Sequence, residues 1–156
     1  MAIEKVRDFF KSFGLEDKIR EFDVSSATVE LAAAALGCEG ERIAKTLSFS
    51  LDGKAILVVT SGDAKIDNSK YKKTFGTKAK MLAYDEVDSL IGHAVGGVCP
   101  FATNEGVKVY LDISLKRFTT VFPAAGSSSS AIELTIPELE RFSGFVEWVD
   151  VTKLPE

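Results

Sequence analysis

The pair Asp52-Gly53 constrains this chain more than any other feature. It separates an alternating run, 46–51, from a β-branched apolar run, 55–60. Asp-Gly suits a type I′ turn, whose two central residues both need positive φ and whose twist matches that of paired strands. The middle of the chain is therefore expected to be an antiparallel hairpin.

Around it, the periodicity alternates between helix and strand. Ile3, Val6, Phe9, Phe10 and Phe13 recur at helical spacing, and Gly14 ends the pattern. An extended piece over 19–24 follows. Ser25 or Ser26 is placed to cap a second helix through Val29, Ala32 and Leu36, which stops at Gly37. The pattern predicts helices over 68–75, over 84–91 and from Pro137 to near Gly144. It predicts strands over 79–83, 107–111, 119–124, 131–135 and 148–151. Strands and helices intermingle without a strict βαβ rhythm, which favours an α+β fold with a mixed sheet and surrounding helices. No G-x-G-x-x-G follows a strand and no G-x-x-x-x-G-K-[ST] occurs, which argues against a dinucleotide site or a P-loop.

A length of 156 residues fits one domain, 1–156, with a real core. The net charge of −4 means that any nucleic-acid contact has to come from a local patch. Two cysteines, Cys38 and Cys99, are too few for a disulfide framework or a cysteine zinc cluster, and point to a reduced, cytoplasmic protein. The start, Met1-Ala2-Ile3-Glu4-Lys5, opens an amphipathic pattern rather than a signal core. No apolar run approaches the roughly 20 residues that span a bilayer, so no membrane partner is expected.

The chemistry-bearing residues fall in a few places. Residues 91–101 pack three glycines, His93 and Pro100 into an apolar stretch. Such a loop either makes a structural turn or lets main-chain amides approach a ligand. Lys45, flanked by Ile43, Ala44 and Leu47, is either a surface lysine or a fixed charge for a phosphate or oxyanion. Lys70, Lys72, Lys73, Lys78 and Lys80 form a basic run without an acid between them, suited to a phosphate backbone or to a solvated helix face. His93, the only histidine, is a general base or a structural hydrogen-bonding group. Cys99 has no evident acid-base partner and reads as a small buried thiol. Asp63 follows a strand, where functional polar groups and turn caps both occur. The serine run after Gly126 offers hydroxyls and amides to a ligand, or is simply a loop.

In order, Ile43-Ala44-Lys45-Thr46-Leu47, Val59-Thr60-Ser61-Gly62-Asp63, Gly92, Gly96-Gly97-Val98-Cys99-Pro100-Phe101, Asp112 with Leu115, and Gly126 with Ala131-Ile132-Glu133-Leu134 resemble the YbaK/EbsC family of prolyl-tRNA-synthetase-associated editing domains. The resemblance covers nearly the whole chain. It implies a curved, partly barrel-like mixed sheet surrounded by helices, and hydrolysis of an amino acid wrongly esterified to transfer RNA. It makes Lys45, Gly96 and Gly97 the catalytic candidates. Asp63, His93, Cys99, Pro100, Gly126 and Ser127 become candidates for substrate binding, and Lys70, Lys72 and Lys73 for transfer RNA. It implies no metal and no cofactor. The expected partners are a mischarged aminoacyl-tRNA, of tRNA-Pro or a related tRNA, and prolyl-tRNA synthetase, with no DNA.

Ala124 and Ala131 stand where several members carry polar groups, which argues against a cysteine specificity of the YbaK type. Ala102 stands where many members have glycine. The alternative reading is a non-catalytic module that binds a tRNA end or an aminoacyl nucleotide.

Overall fold

The computed structural model describes residues 2–26 and 28–155. Helix α1 (Ala2–Lys11) is followed by strand β1 (Ile19–Glu21), helix α2 (Val29–Leu36) and the hairpin β2 (Ile43–Leu51) and β3 (Lys54–Ser61). Next come β4 (Lys65–Ile66), α3 (Asn68–Phe75), α4 (Val87–Ile91), β5 (Lys108–Asp112) and β6 (Thr120–Pro123). The chain closes with β7 (Ser130–Ile132), β8 (Leu134–Thr135), α5 (Ile136–Ser143), β9 (Glu147–Val149) and β10 (Thr152–Lys153).

Six strands form a curled half-barrel sheet in the order β8-β6-β2-β3-β5-β9. The hairpin β2–β3 is antiparallel, whereas β6 runs parallel to β2, β5 to β3 and β9 to β5. Asp52 and Gly53 both have positive φ, 52° and 79°, as the type I′ turn demands. Two small antiparallel pairs, β1–β7 and β4–β10, flank the sheet. This is the expected α+β architecture with a mixed, partly closed sheet.

Strand β3 carries a continuous apolar run because both of its faces are covered. Leu57 and Val59 join the main core, while Ile56 and Val58 point into a second cluster. The main core collects Phe10 of α1, Val87 and Ile91 of α4, Phe101, and Leu139 and Phe142 of α5. Phe10 meets Phe101 and Phe142 edge-on at centroid distances of 4.9 and 5.4 Å. Each such ring, fully buried, stabilises the fold by about 1.5–3 kcal/mol. On the opposite face Tyr71 and Phe75 of α3 pack against Phe49 and Tyr110.

Four local expectations are corrected. The cap of α2 is Thr28, whose hydroxyl accepts from Leu31 N at 3.2 Å, rather than Ser25 or Ser26. Residues 79–83 form no strand. Met81 makes one bridge to Phe49, framed by Ser50 N donating to Lys80 O and Leu82 N donating to Ser48 O. Residues 131–135 divide at Glu133, with β7 pairing to β1 and β8 to β6. Residues 148–151 divide likewise, because the buried Asp112 carboxylate accepts from Val151 N and Thr152 Oγ1 and turns the chain between β9 and β10.

Candidate active site

The site lies where strand β2 changes partners. It pairs with β3 along its length, but with β6 only at Ile43 and Ala44. From Ser48 onward its other edge is taken by residues 80–82. Between these two claims the edge around Thr46 faces a cavity of about 480 Å³. Its walls are mostly apolar, including Val29, Leu82, Val87, Val98, Phe122 and Ala124, and Lys45 is the only charged lining residue among the described residues.

Lys45 is half-buried and its Nζ donates to the Ala64 carbonyl. Burial pulls its ammonium below the ordinary lysine range, and the nearby Asp63 charge partly opposes that pull. Ala64 ends the turn that begins at Ser61. That turn needs glycine at position 62, because a Cβ there would meet Gly40 O at 2.0 Å. Asp63 does not line the cavity. Its carboxylate accepts two bonds from Arg117, at 2.6 and 3.1 Å, and one from Ser61 Oγ at 2.7 Å. Burial alone would raise this carboxyl; the bonds from Arg117 and Ser61 outweigh burial and hold it below the usual range.

The glycine loop reaches the cavity from the opposite wall. Helix α4 ends at Gly92 with φ +96°, and Gly96 lines the cavity with φ +92°, a left-handed conformation suited to glycine. Lys45 and Gly96, separated by fifty-one positions in sequence, thus share one cavity. Gly97 departs from the expectation that both glycine amides address a ligand. Its N–H closes a turn onto Ala94 O at 3.0 Å. A Cβ on it would sit 2.8 Å from Ser127 N and Cα, so Gly97 allows two loops to touch.

His93, Cys99 and Pro100 are buried behind this loop and do not line the cavity. His93 Nε2 donates to Phe101 O at 2.7 Å, and Nδ1 has no hydrogen-bond partner among the described residues. Burial lowers the imidazole pKa. Burial also pushes the Cys99 thiol up to about 12, which leaves it protonated and inert. These three candidates for substrate binding thus lie behind the loop rather than at the cavity wall.

Gly126 turns the chain with φ +96° into the serine run. Ser127 Oγ donates to Ser130 Oγ at 2.7 Å, and it is Ser130 and Ala131, rather than Ser127, that line the cavity. Ser128 O accepts from Ser26 N at 2.6 Å, which ties the run to the segment before α2. Ser26, read from the sequence only as a cap, and Thr28, Met81 and Leu82 also line the cavity, because pairings distant along the chain bring them there. Ala124 and Ala131, where relatives of the resembled family carry polar groups, both line the cavity.

The lysines of α3 stand apart from the cavity. Lys70 Nζ is held by Asp150 at 3.0 Å and by Thr152 O at 2.9 Å, whereas Lys72 and Lys73 are exposed. Among the described residues, no cluster of three His, Cys, Asp or Glu side chains could hold a metal ion. No helix among them is long and apolar enough to cross a membrane.

Comparison with known proteins agrees with this geometry. The family model described as an aminoacyl-tRNA editing domain matches residues 23–142. The uncharacterized protein YwhH of Bacillus subtilis (strain 168) is 53% identical over 154 residues, covering 98% of each chain. A proline–tRNA ligase of Bacillus cytotoxicus is 34% identical over 85 residues, which are 54% of this chain and only 15% of the ligase. A crystal structure of a candidate trans-editing enzyme for prolyl-tRNA synthetase superposes with a TM-score of 0.86 at 29% identity, covering 97% of both chains. The chain is a member of the aminoacyl-tRNA editing domain family.

Proposed function

We propose that this protein is a trans-acting aminoacyl-tRNA deacylase, which removes a small amino acid wrongly esterified to tRNA-Pro or a related tRNA. The observation that carries this reading is the meeting of the half-buried Lys45 and the Gly96 backbone on one largely apolar cavity. The family match and the ligase segment that resembles this chain support it.

The reaction asks little of the protein's side chains. An aminoacyl ester is already activated, so positioning and charge stabilisation supply most of what hydrolysis needs. Water attacks the ester carbonyl carbon. The bond to the ribose oxygen breaks, and that oxygen leaves with a proton as the tRNA hydroxyl. Lys45 stabilises the negative charge that develops on the carbonyl oxygen or holds the adjacent phosphate. Gly96 lets the main chain approach the same group. The alanines at 124 and 131 leave room for a small acyl group without offering it a hydrogen bond. Lys72 and Lys73 meet the tRNA backbone electrostatically, with Lys70 held back by Asp150. In this reading the whole chain, 1–156, acts as one domain in the cytoplasm, on tRNA delivered free or by prolyl-tRNA synthetase.

The test is a panel of tRNAs mischarged with alanine, serine, threonine and cysteine, incubated with the wild type and with Lys45→Ala. Hydrolysis of at least one by the wild type, reduced at least a hundredfold in the variant, is expected. An active Lys45→Ala variant removes Lys45 from the reaction. A wild type that binds the panel but hydrolyses none of it favours the non-catalytic binding module.

A further inference from the structure

Lys45 has a carboxylate neighbour and, among the described residues, no ion pair. Asp63 exerts the largest charge effect on it, ahead of Lys65 and Glu30, which act with opposite signs. Yet no salt bridge within 4.0 Å joins Lys45 to an acid among the described residues; its Nζ rests on the neutral Ala64 carbonyl. The reason lies on the far side of Asp63. Arg117 Nη2 donates to Asp63 Oδ1 at 2.6 Å and Nη1 to Oδ2 at 3.1 Å, so both carboxylate oxygens are engaged. Nη2 also donates to Ser61 Oγ at 2.8 Å, and Ser61 Oγ donates to Asp63 Oδ1 at 2.7 Å. The guanidinium is fixed in turn by Nε donating to Ser114 O at 3.0 Å and by its place 4.8 Å from the Phe118 ring. A planar fork covers two oxygens at once, which a lysine ammonium in the same place would not do.

We propose that Arg117 is a positioning residue that keeps the Asp63 carboxylate from capturing Lys45, and so leaves the Lys45 ammonium on a neutral carbonyl at the cavity wall. Arg117 does not line the cavity and acts only through Asp63 and Ser61. Without it, an uncompensated carboxylate lies next to a half-buried cation, and the two attract strongly where the effective dielectric is low. Lys45 then swings towards Asp63 and away from the substrate. The catalytic meaning of this arrangement rests on the deacylase reading above.

The experiment compares the wild type, Arg117→Gln, Arg117→Lys and the double variant Arg117→Gln/Asp63→Asn. Arg117→Gln is expected to lose at least tenfold in kcat/KM on the aminoacyl-tRNA that the wild type hydrolyses best. Its alkaline limb should move to higher pH, because a Lys45 paired with a carboxylate holds its proton longer. Arg117→Lys, which keeps the charge but not the fork, should fall between. The double variant should regain most of the lost activity, since no carboxylate remains to trap Lys45; a variant that had merely lost folding would not recover. Wild-type rates in Arg117→Gln, or no recovery in a double variant that melts like the wild type, would overturn the inference. Labelling of Lys45 by acetic anhydride, read by mass spectrometry, reports the same trap without catalysis. Labelling should slow in Arg117→Gln and return in the double variant. Equal labelling in all of them sinks the role of Arg117 even where editing is real, whereas slowed labelling with no hydrolysis of any tRNA sinks only the editing reading.

Discussion

Substituting Gly97 by alanine should damage both activity and stability, although the change adds only one methyl group. The new Cβ would stand 2.8 Å from Ser127 N and Cα and 2.9 Å from its carbonyl carbon. All three are backbone atoms, so no rotamer change relieves the clash. An ordinary contact begins near 3.4 Å, so the glycine loop and the serine run must part by about 0.6 Å. Overpacking of this kind costs roughly 1–3 kcal/mol. The displacement reaches Gly96 on one side and Ser130 on the other, and both line the cavity. A shift of about 1 Å near a reacting group can cost about a hundredfold in rate, so a loss of roughly tenfold or more in kcat/KM is expected for Gly97→Ala. Urea unfolding gives the stability change, and single-turnover deacylation gives the rate. A Gly97→Ala protein that is both as stable and as active as the wild type would show that the two loops are not held in contact. It would also remove the close approach of Gly97 to Ser127 as the reason for glycine at this position.

Two further outcomes follow from buried or strained positions. The His93 pKa is depressed below its ordinary value of 6.5, so between the folded pKa and 6.5 the unfolded chain binds more protons than the folded one. Stability from the neutral imidazole is therefore fully present above about pH 6.5 and declines as pH falls below it, so the melting-temperature gap between wild type and His93→Gln should shrink from pH 7.5 to pH 5.5; a constant gap would contradict a neutral buried imidazole. Ala102 holds φ +51°, a left-handed conformation that costs a Cβ-bearing residue about 1–2 kcal/mol. Ala102→Gly should recover part of that, roughly 0.5–1 kcal/mol net of the greater freedom of glycine in the unfolded chain, in chemical denaturation; a loss of stability would refute the strain.

What could be read from the sequence divides along physical lines. The hairpin, both ends of α3 and the course of α5 rest on local chemistry. Asp52-Gly53 takes positive φ, Asp67 caps α3 and Gly76 ends it, and Thr135 with Glu138 forms a capping box. The errors all involve partners far along the chain. Ser25 and Ser26 are as good a cap as Thr28 in isolation, but Ser128, more than 100 positions away, takes their hydroxyls. The apolar stretch at 79–83 resembles a strand, yet only Met81 finds a bridge, because the edge of β2 that it meets is available from Ser48 onward. Glu133 interrupts an apparently single strand only because its two halves pair with different neighbours. The site shows the same division. Lys45 and Gly96 were nameable from residue type and motif. The engagement of the Gly97 amide, the depth of His93 and Cys99 and the bracing role of Arg117 depend on how loops pack.

The cavity itself is a consequence of topology rather than of any one residue. A strand inside a sheet has both edges satisfied, since each unpaired main-chain group in the interior is costly. Strand β2 violates this locally because its second neighbour changes identity along its length. It is parallel β6 up to Ala44, then the irregular segment 80–82 from Ser48. A parallel strand and an irregular segment diverging from one edge leave a wedge at Thr46, and successive side chains there point to opposite faces of the sheet. Lys45 therefore lies on the side of Ile43 and Leu47, while Ala44 and Ser48 belong to the other side. At the wedge, residues from both faces border the same cavity. Closing it should abolish the site without touching a lining side chain's chemistry. A domain built this way gains a largely apolar cavity from the sheet itself, with Lys45 and the glycine loop at its wall.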